Sequence, residues 1–233
     1  MIATSRHART TSRGFTLIEL LVAIAILAVL AIVSWRGIDS MARAQSQVRE
    51  RADGVLTLQS ALAQWNSDLD ASVSISPARA MDWNGRALRI TRRSAAGDLS
   101  SLTVVAWTIR TSNDGFARWT RWQSPPLLTR GDWQQAWEQA ATWAGEGGSS
   151  NAYGNSGQGG GSEVALMPAT TWQLLYFRND LWIPAVSYDA LGANEKVPNG
   201  VRLLLELPPG PALSGTLSLD WARPTLTPAQ ARS

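Results

Sequence analysis

The apolar residues of this chain are very unevenly placed. From Phe15 to Trp35 there is one charge, Glu19, and neither Gly nor Pro. Those 21 residues would make a helix of roughly 32 Å at ~1.5 Å per residue, enough to cross a bilayer core. In water such a helix, apolar all round, would need cover on every side. Past Trp35 the pattern turns amphipathic without a break. Met41, Val48, Val55, Leu62 and Leu69 recur every seven residues, and Leu58 and Trp65 fall between them at helical spacing. The spacing predicts an amphipathic half-helix over residues 36–76, ended by Ser72–Pro77. Its stripe is expected to pack on the chain's own sheet; a two-helix coiled coil is the alternative. Asp68 and Asp70 are two apart, point to different faces and are not a catalytic pair.

From 77 to 222 the pattern is mostly that of strands. Asn84-Gly85 between Met81–Trp83 and Arg86–Ile90 is a hairpin signal. Leu102–Arg110 is apolar on both faces, as a central strand would be, and Asn113-Asp114-Gly115 turns it into Phe116–Gln123. A second hairpin runs from Thr171–Phe177 through Asn179-Asp180 to Leu181–Val186. Val201, Leu203, Leu205 and Leu207 alternate with polar residues, as do Leu217, Leu219 and Trp221, with a Pro-Pro-Gly-Pro turn between. One helix interrupts, over Asp132–Ala144, with Trp133 and Trp137 on one face. Residues 223–233 read as a loose tail. The expected class is α+β, a long N-terminal helix packed on an antiparallel sheet.

Residues 145–162 are rich in Gly and Ser and read as a flexible loop. A calcium loop is an alternative there, but Glu146 and Glu163 are the only carboxylates in or beside it, and calcium sites usually use several. The chain has 12 Trp. Most are expected in the core, where each buries a large area. Among Trp119, Trp122, Trp133, Trp137 and Trp143, one or two could instead anchor another subunit, or form a sugar-binding platform.

Composition narrows the chemistry. There is no Cys, one His (His7) and one Lys (Lys196) in 233 residues. This excludes a disulfide framework, a thiolate metal site and a Cys nucleophile, and argues against a Ser-His-Asp triad or a multi-histidine site. Lys196 follows no phosphate-binding glycine loop. No catalytic residue, metal site or cofactor is expected. The pI of about 9.9 comes from a basic head: Arg6, Arg9 and Arg13 precede residue 14 with no acid among them, and the rest of the chain balances. That is a membrane-topology signal rather than a nucleic-acid footprint.

Two general readings fit a basic head followed by an apolar span. A cleaved secretory signal would be cut after its apolar stretch at an Ala-x-Ala-like site, but the run is long for that and the amphipathic helix pattern follows without a break. An uncleaved signal anchor explains the span but neither Gly14 nor Glu19. The segment Gly14-Phe15-Thr16-Leu17-Ile18-Glu19-Leu20-Leu21-Val22 closely resembles the N-terminal signature of type IV pilins and type II secretion pseudopilins. The resemblance implies that residues 1–14 are a leader cut after Gly14 by a prepilin peptidase, and that Phe15 becomes an N-methylated terminus. It implies that residues 15–35 anchor the subunit in the inner membrane, with the head in the periplasm, and later join a filament core. Glu19 would then neutralise the terminal amine of a neighbouring subunit. A carboxylate inside a span costs a few kcal/mol unless paired, which points the same way.

The signature does not distinguish subunits. Trp35-Arg36-Gly37-Ile38-Asp39-Ser40-Met41, the helix end Leu58–Leu69 and Pro198-Asn199-Gly200-Val201-Arg202-Leu203 look like the J-type minor pseudopilin of type II secretion. Such a subunit is not an enzyme. The implied partners are the I- and K-type minor subunits, the major pseudopilin and the peptidase. The alternatives are a minor pilin of a type IV pilus and, from another class, a membrane-tethered carbohydrate-binding or hydrolytic domain.

Overall fold

The computed structural model describes residues 14–75, 78–94, 101–112, 114–145, 160–186, 197–210 and 213–224. The expected leader, most of the Gly-rich loop and most of the tail lie outside these residues. Helix α1 spans Leu17–Asp70 and helix α2 spans Arg130–Gly145. The strands are β1 (Met81–Trp83), β2 (Leu88–Arg93), β3 (Leu102–Thr111), β4 (Ala117–Gln123), β5 (Ser162–Pro168), β6 (Thr171–Arg178), β7 (Leu181–Pro184), β8 (Gly200–Leu207) and β9 (Gly215–Ala222). The chain divides into a helical unit up to Arg49 and a compact unit from Glu50 onward.

In the compact unit the strands make two antiparallel sheets, ordered β1-β2-β3-β4-β5 and β7-β6-β8-β9. The pattern of alternation anticipated a single sheet. The division comes at the link between β5 and β6. Ala169 donates its N–H to Ala117 O beside β4, and Thr170 donates to Glu206 O on β8. Two residues thus hand the chain from one sheet to the other, after Pro168, which has no N–H to donate. Strand β5 has no counterpart in the sequence reading, because it follows the Gly-rich stretch and its alternation is weak.

Both sheets and the end of α1 share one core. Leu88, Ile90, Val105, Trp107, Trp119 and Met167 face it from the first sheet, and Leu174, Tyr176, Val201, Leu203, Leu205 and Trp221 from the second. Ala61, Trp65 and Leu69 enter from α1. The Trp65 ring meets Trp107 edge-on at 5.3 Å and Trp119 at 5.4 Å, aromatic geometry favoured over flat stacking. Strand β3 is apolar on both faces for a reason: its alternate residues Val104 and Ala106 pack outward on α2. The other α2 contacts in that second cluster are Ala136, Trp137 and Ala140, with Trp122 and Leu127.

The heptad stripe is only partly used. Leu62 and Leu69 pack on the core, but Val48 is 67% and Met41 65% exposed, and Val55 remains partly open at 39%. The expected cover of the stripe by the sheet is met at Leu62 and Leu69 and not at Val55. Within the compact unit, contact of α1 with the core begins at Leu58 and continues through Ala61, Leu62, Trp65 and Leu69.

The hairpins follow the turn residues. Gly85 and Gly115 have φ near +85° and +80°, the left-handed conformation that glycine adopts without steric cost. Asn179 and Asp180 both have positive φ in the turn from β6 to β7, as a two-residue I′ hairpin requires.

Candidate functional site

Gly14, Phe15 and Thr16 run up to the start of α1 and are exposed. No atom lies within 4 Å of the place where a β-carbon on Gly14 would sit. Among the described residues nothing there demands glycine.

Thr16 caps the helix. Its hydroxyl accepts the Glu19 N–H at 3.4 Å and donates toward Glu19 Oε2 at 3.5 Å, and its carbonyl accepts the Leu20 N–H at 3.2 Å. Thr16-x-x-Glu19 is the spacing of a capping box, so this role was open to sequence reading and was missed. Glu19 also lies in the first turn, where the helix dipole favours a negative charge. Among the described residues Glu19 has no ion-pair partner. Its contacts with Thr16 are neutral and long.

Beyond it α1 is bare. Leu17, Ile18, Leu20, Leu21, Val22, Ile24 and the apolar residues through Val33 are exposed. This is one helix long and apolar enough to cross a membrane. Phe15 at one end and Trp35 at the other are both exposed aromatics, placed as interfacial anchors would be. Arg36 follows at once.

Among the described residues the compact unit shows no comparable site. Its buried carboxylates are matched to cations: Asp68 to Arg92 and Arg121, and Asp82 to Arg89. No group of three or more His, Cys, Asp or Glu able to hold a metal occurs among the described residues. A hollow of about 220 Å³ beside the end of α1 is lined by Asp70, Ser72, Ser74, Trp221 and Arg223. Its charged groups are engaged: Asp70 accepts from the Trp221 indole, and Arg223 donates to the Val197 and Pro198 carbonyls. The head tryptophans are buried or half-buried, and the one exposed Trp is Trp35. They form no open platform.

Residues 9–35 match the prokaryotic N-terminal methylation motif. No curated protein sequence matches the chain. Among solved structures, the crystal structure of the GspK-GspI-GspJ complex from the type 2 secretion system of enterotoxigenic Escherichia coli is similar at 16% identity, with a TM-score of 0.46. The match covers 74% of this chain and 99% of that one. The stretch from the basic head to Trp35 carries the methylation motif of prepilin-type proteins, with Gly14, Phe15 and Glu19 inside it.

Proposed function

We propose that this chain is a minor pseudopilin of a type II secretion system, most like the J-type subunit. It is held in the inner membrane by residues 15–35 with its head in the periplasm. It acts by assembly: with the I- and K-type minor subunits and the major pseudopilin it forms the tip that starts a short filament and helps export folded proteins. The J-type choice rests on the resemblance at residues 35–41, 58–69 and 198–203.

The observation that carries the reading is Gly14. It is exposed, nothing surrounds the position of its absent β-carbon, and it stands at the junction of a basic head and a span with the methylation motif. A glycine at such a place fits an enzyme that reads the segment. A prepilin peptidase that cuts between Gly14 and Phe15 is that enzyme, and Phe15 is then N-methylated. The bare helix and the Glu19 carboxylate, which has no ion-pair partner among the described residues, fit a subunit completed by its neighbours. A terminal ammonium at about the depth of Glu19 would satisfy two costly charges at once.

Mass spectrometry of the mature protein should find a methylated N-terminus at Phe15, and Gly14→Ala should retain the leader. A terminus at Met1, or one beyond Ala25, would overturn the assignment. Deleting the gene separates the two filament systems: exported proteins trapped in the periplasm support a pseudopilin, and loss of surface pili supports a minor pilin.

A further inference from the structure

The two sheets have four edges, and three are blunt. Strand β1 has three residues. Strand β7 has four and ends at Pro184. Strand β5 ends at Pro168, and its register with β4 shifts between Trp119 and Thr120. Short strands, prolines and bulges are the usual protections against unwanted strand pairing. Strand β9 has none of them. Its eight residues, Gly-Thr-Leu-Ser-Leu-Asp-Trp-Ala, pair with β8 in one unbroken register, without Pro or Lys. Among the described residues nothing pairs with its other side.

The hydrogen-bond phase shows which groups are open. Arg223 donates its N–H to Asn199 O at 3.0 Å, one step past the ladder. The Trp221 carbonyl points at β8, 3.0 Å from where a Gly200 β-carbon would be. By the antiparallel alternation Leu217, Leu219 and Trp221 bond to β8, while Thr216, Ser218, Asp220 and Ala222 turn their N–H and C=O groups outward. The side chains of Leu217 and Leu219 lie half-buried at the rim of the core.

We propose that β9 is an interface that pairs antiparallel with β9 of a second copy of this chain. The proposal is independent of the secretion assignment. The edge is self-complementary. With Leu219 opposite its own counterpart, Ser218 pairs with Asp220 and Thr216 with Ala222, so all four outward residues of each strand find partners. Moving the centre to Ser218 or Asp220 pairs fewer, and the latter sets two Asp220 carboxylates against each other. In the first register the Leu217, Leu219 and Trp221 rows meet on the core side and extend both cores. The joined sheet then ends at β7 in both copies, a short edge closed by Pro184. The symmetric pair therefore closes on itself rather than growing into a fibre.

The chain has no Cys, so introduced cysteines report cleanly. Full-length Leu219→Cys in membranes, under mild oxidation, should form a disulfide-linked dimer. Opposed residues at such a position lie within about 4.5 Å, inside the range a disulfide accepts. Adding Ser218→Pro removes one outward N–H, leaves the ladder to β8 intact, and should lower the dimer about tenfold. Two exposed positions give a variant pair that spares the core: Thr216→Cys and Ala222→Cys chains, co-expressed, should cross-link with each other and not with themselves. Leu181→Cys, on the far edge, is the collision control. Cross-linking at Leu219→Cys no stronger than at Leu181→Cys, or unaltered by Ser218→Pro, overturns the proposal. So does cross-linking that appears only after residues 225–233 are deleted, since the chain's own tail would then hold the edge. Loss of another subunit on Ser218→Pro, without any self-cross-link, assigns the edge to a foreign strand and equally overturns it.

Discussion

Arg121 of β4 grips Asp68 at the end of α1 with two hydrogen bonds, from Nε to Oδ2 at 2.6 Å and from Nη2 to Oδ1 at 2.9 Å. The same buried carboxylate accepts from the Trp107 indole at 2.9 Å, from Gln64 at 3.0 Å and from Arg92. Two residues on, Asp70 accepts from the Trp221 indole of β9 at 2.7 Å. One turn of helix thus holds both sheets, Asp68 the first and Asp70 the second. Two guanidinium groups around one carboxylate, with an indole filling a remaining acceptor site, is the arrangement in which a buried charge is tolerated.

Removing Asp68 strands that network. Asp68→Ala should cost the head about 3–5 kcal/mol, because it leaves two buried guanidinium groups uncompensated. Asp70→Ala loses one hydrogen bond to a neutral donor and should cost about 1–2 kcal/mol. Urea unfolding followed by tryptophan fluorescence reads both, and equal losses would show that the arginine network around Asp68 adds nothing beyond a single hydrogen bond.

The point where α1 joins the core can be located by substitution. Trp65→Ala should cost about 3–5 kcal/mol, since the ring is fully buried among Trp107, Trp119 and Trp172. Val48→Asp, at an exposed position, should leave unfolding of the compact unit within about 0.5 kcal/mol of wild type. A large loss at Val48 would mean that the stripe is covered further toward the membrane.

Gly161 is needed for space. A β-carbon there would lie 2.2 Å from the Trp122 ring, and that ring packs beside Val104, Ala106 and Trp137 on the outer face of the first sheet. Gly161→Ala should destabilise by about 1–3 kcal/mol through the displaced ring. Gly14→Ala, where nothing is near, should leave the melting temperature unchanged while it blocks maturation.

Acid should loosen α2 at its N-terminus. Asp132 is held below the usual carboxylate range by the backbone N–H and side chain of Thr129, then by the Leu128 N–H. Its folded value is depressed, so its contribution is complete above the ordinary Asp pKa of about 3.9 and is lost as pH falls through the lower folded value. Asp220, lowered chiefly by its hydrogen bonds from Arg202, behaves with the same sign. The melting-temperature gap between wild type and Asp132→Asn should be constant at neutral pH and narrow toward pH of about 2. A gap that widens on acidification would reverse the sign and refute this account.

Charge and cap can be separated at Glu19. Glu19→Gln keeps a polar group beside Thr16 and removes the charge, whereas Thr16→Ala removes the cap and keeps the charge. If Glu19 pairs with a neighbour's ammonium, Glu19→Gln should reduce co-purification with other pilin-like subunits and Thr16→Ala should not. The opposite ranking would make Glu19 a helix-capping residue.

What depends on neighbours in the chain was legible from the residues alone. The span from Phe15 to Trp35 is a matter of composition over one stretch. The hairpins at Asn84-Gly85 and Asn179-Asp180 follow from turn residues that accept positive φ, and β3 declared itself central by being apolar on both faces. Gly14, Phe15 and Glu19 could be singled out because the pattern that marks them is contiguous. Tertiary structure decided the rest: two sheets where one was expected, β5 at a sheet edge, the end of the covered stripe near Leu58, and the partners of Asp68 and Asp70. Each is a contact between residues far apart in the chain, and many pairings satisfy the same periodicity. Asp68 illustrates the reason. Its spacing on the helix says only which face it occupies. Which arginines surround it depends on how β2 and β4 register against β3, and that is settled when the whole core packs at once.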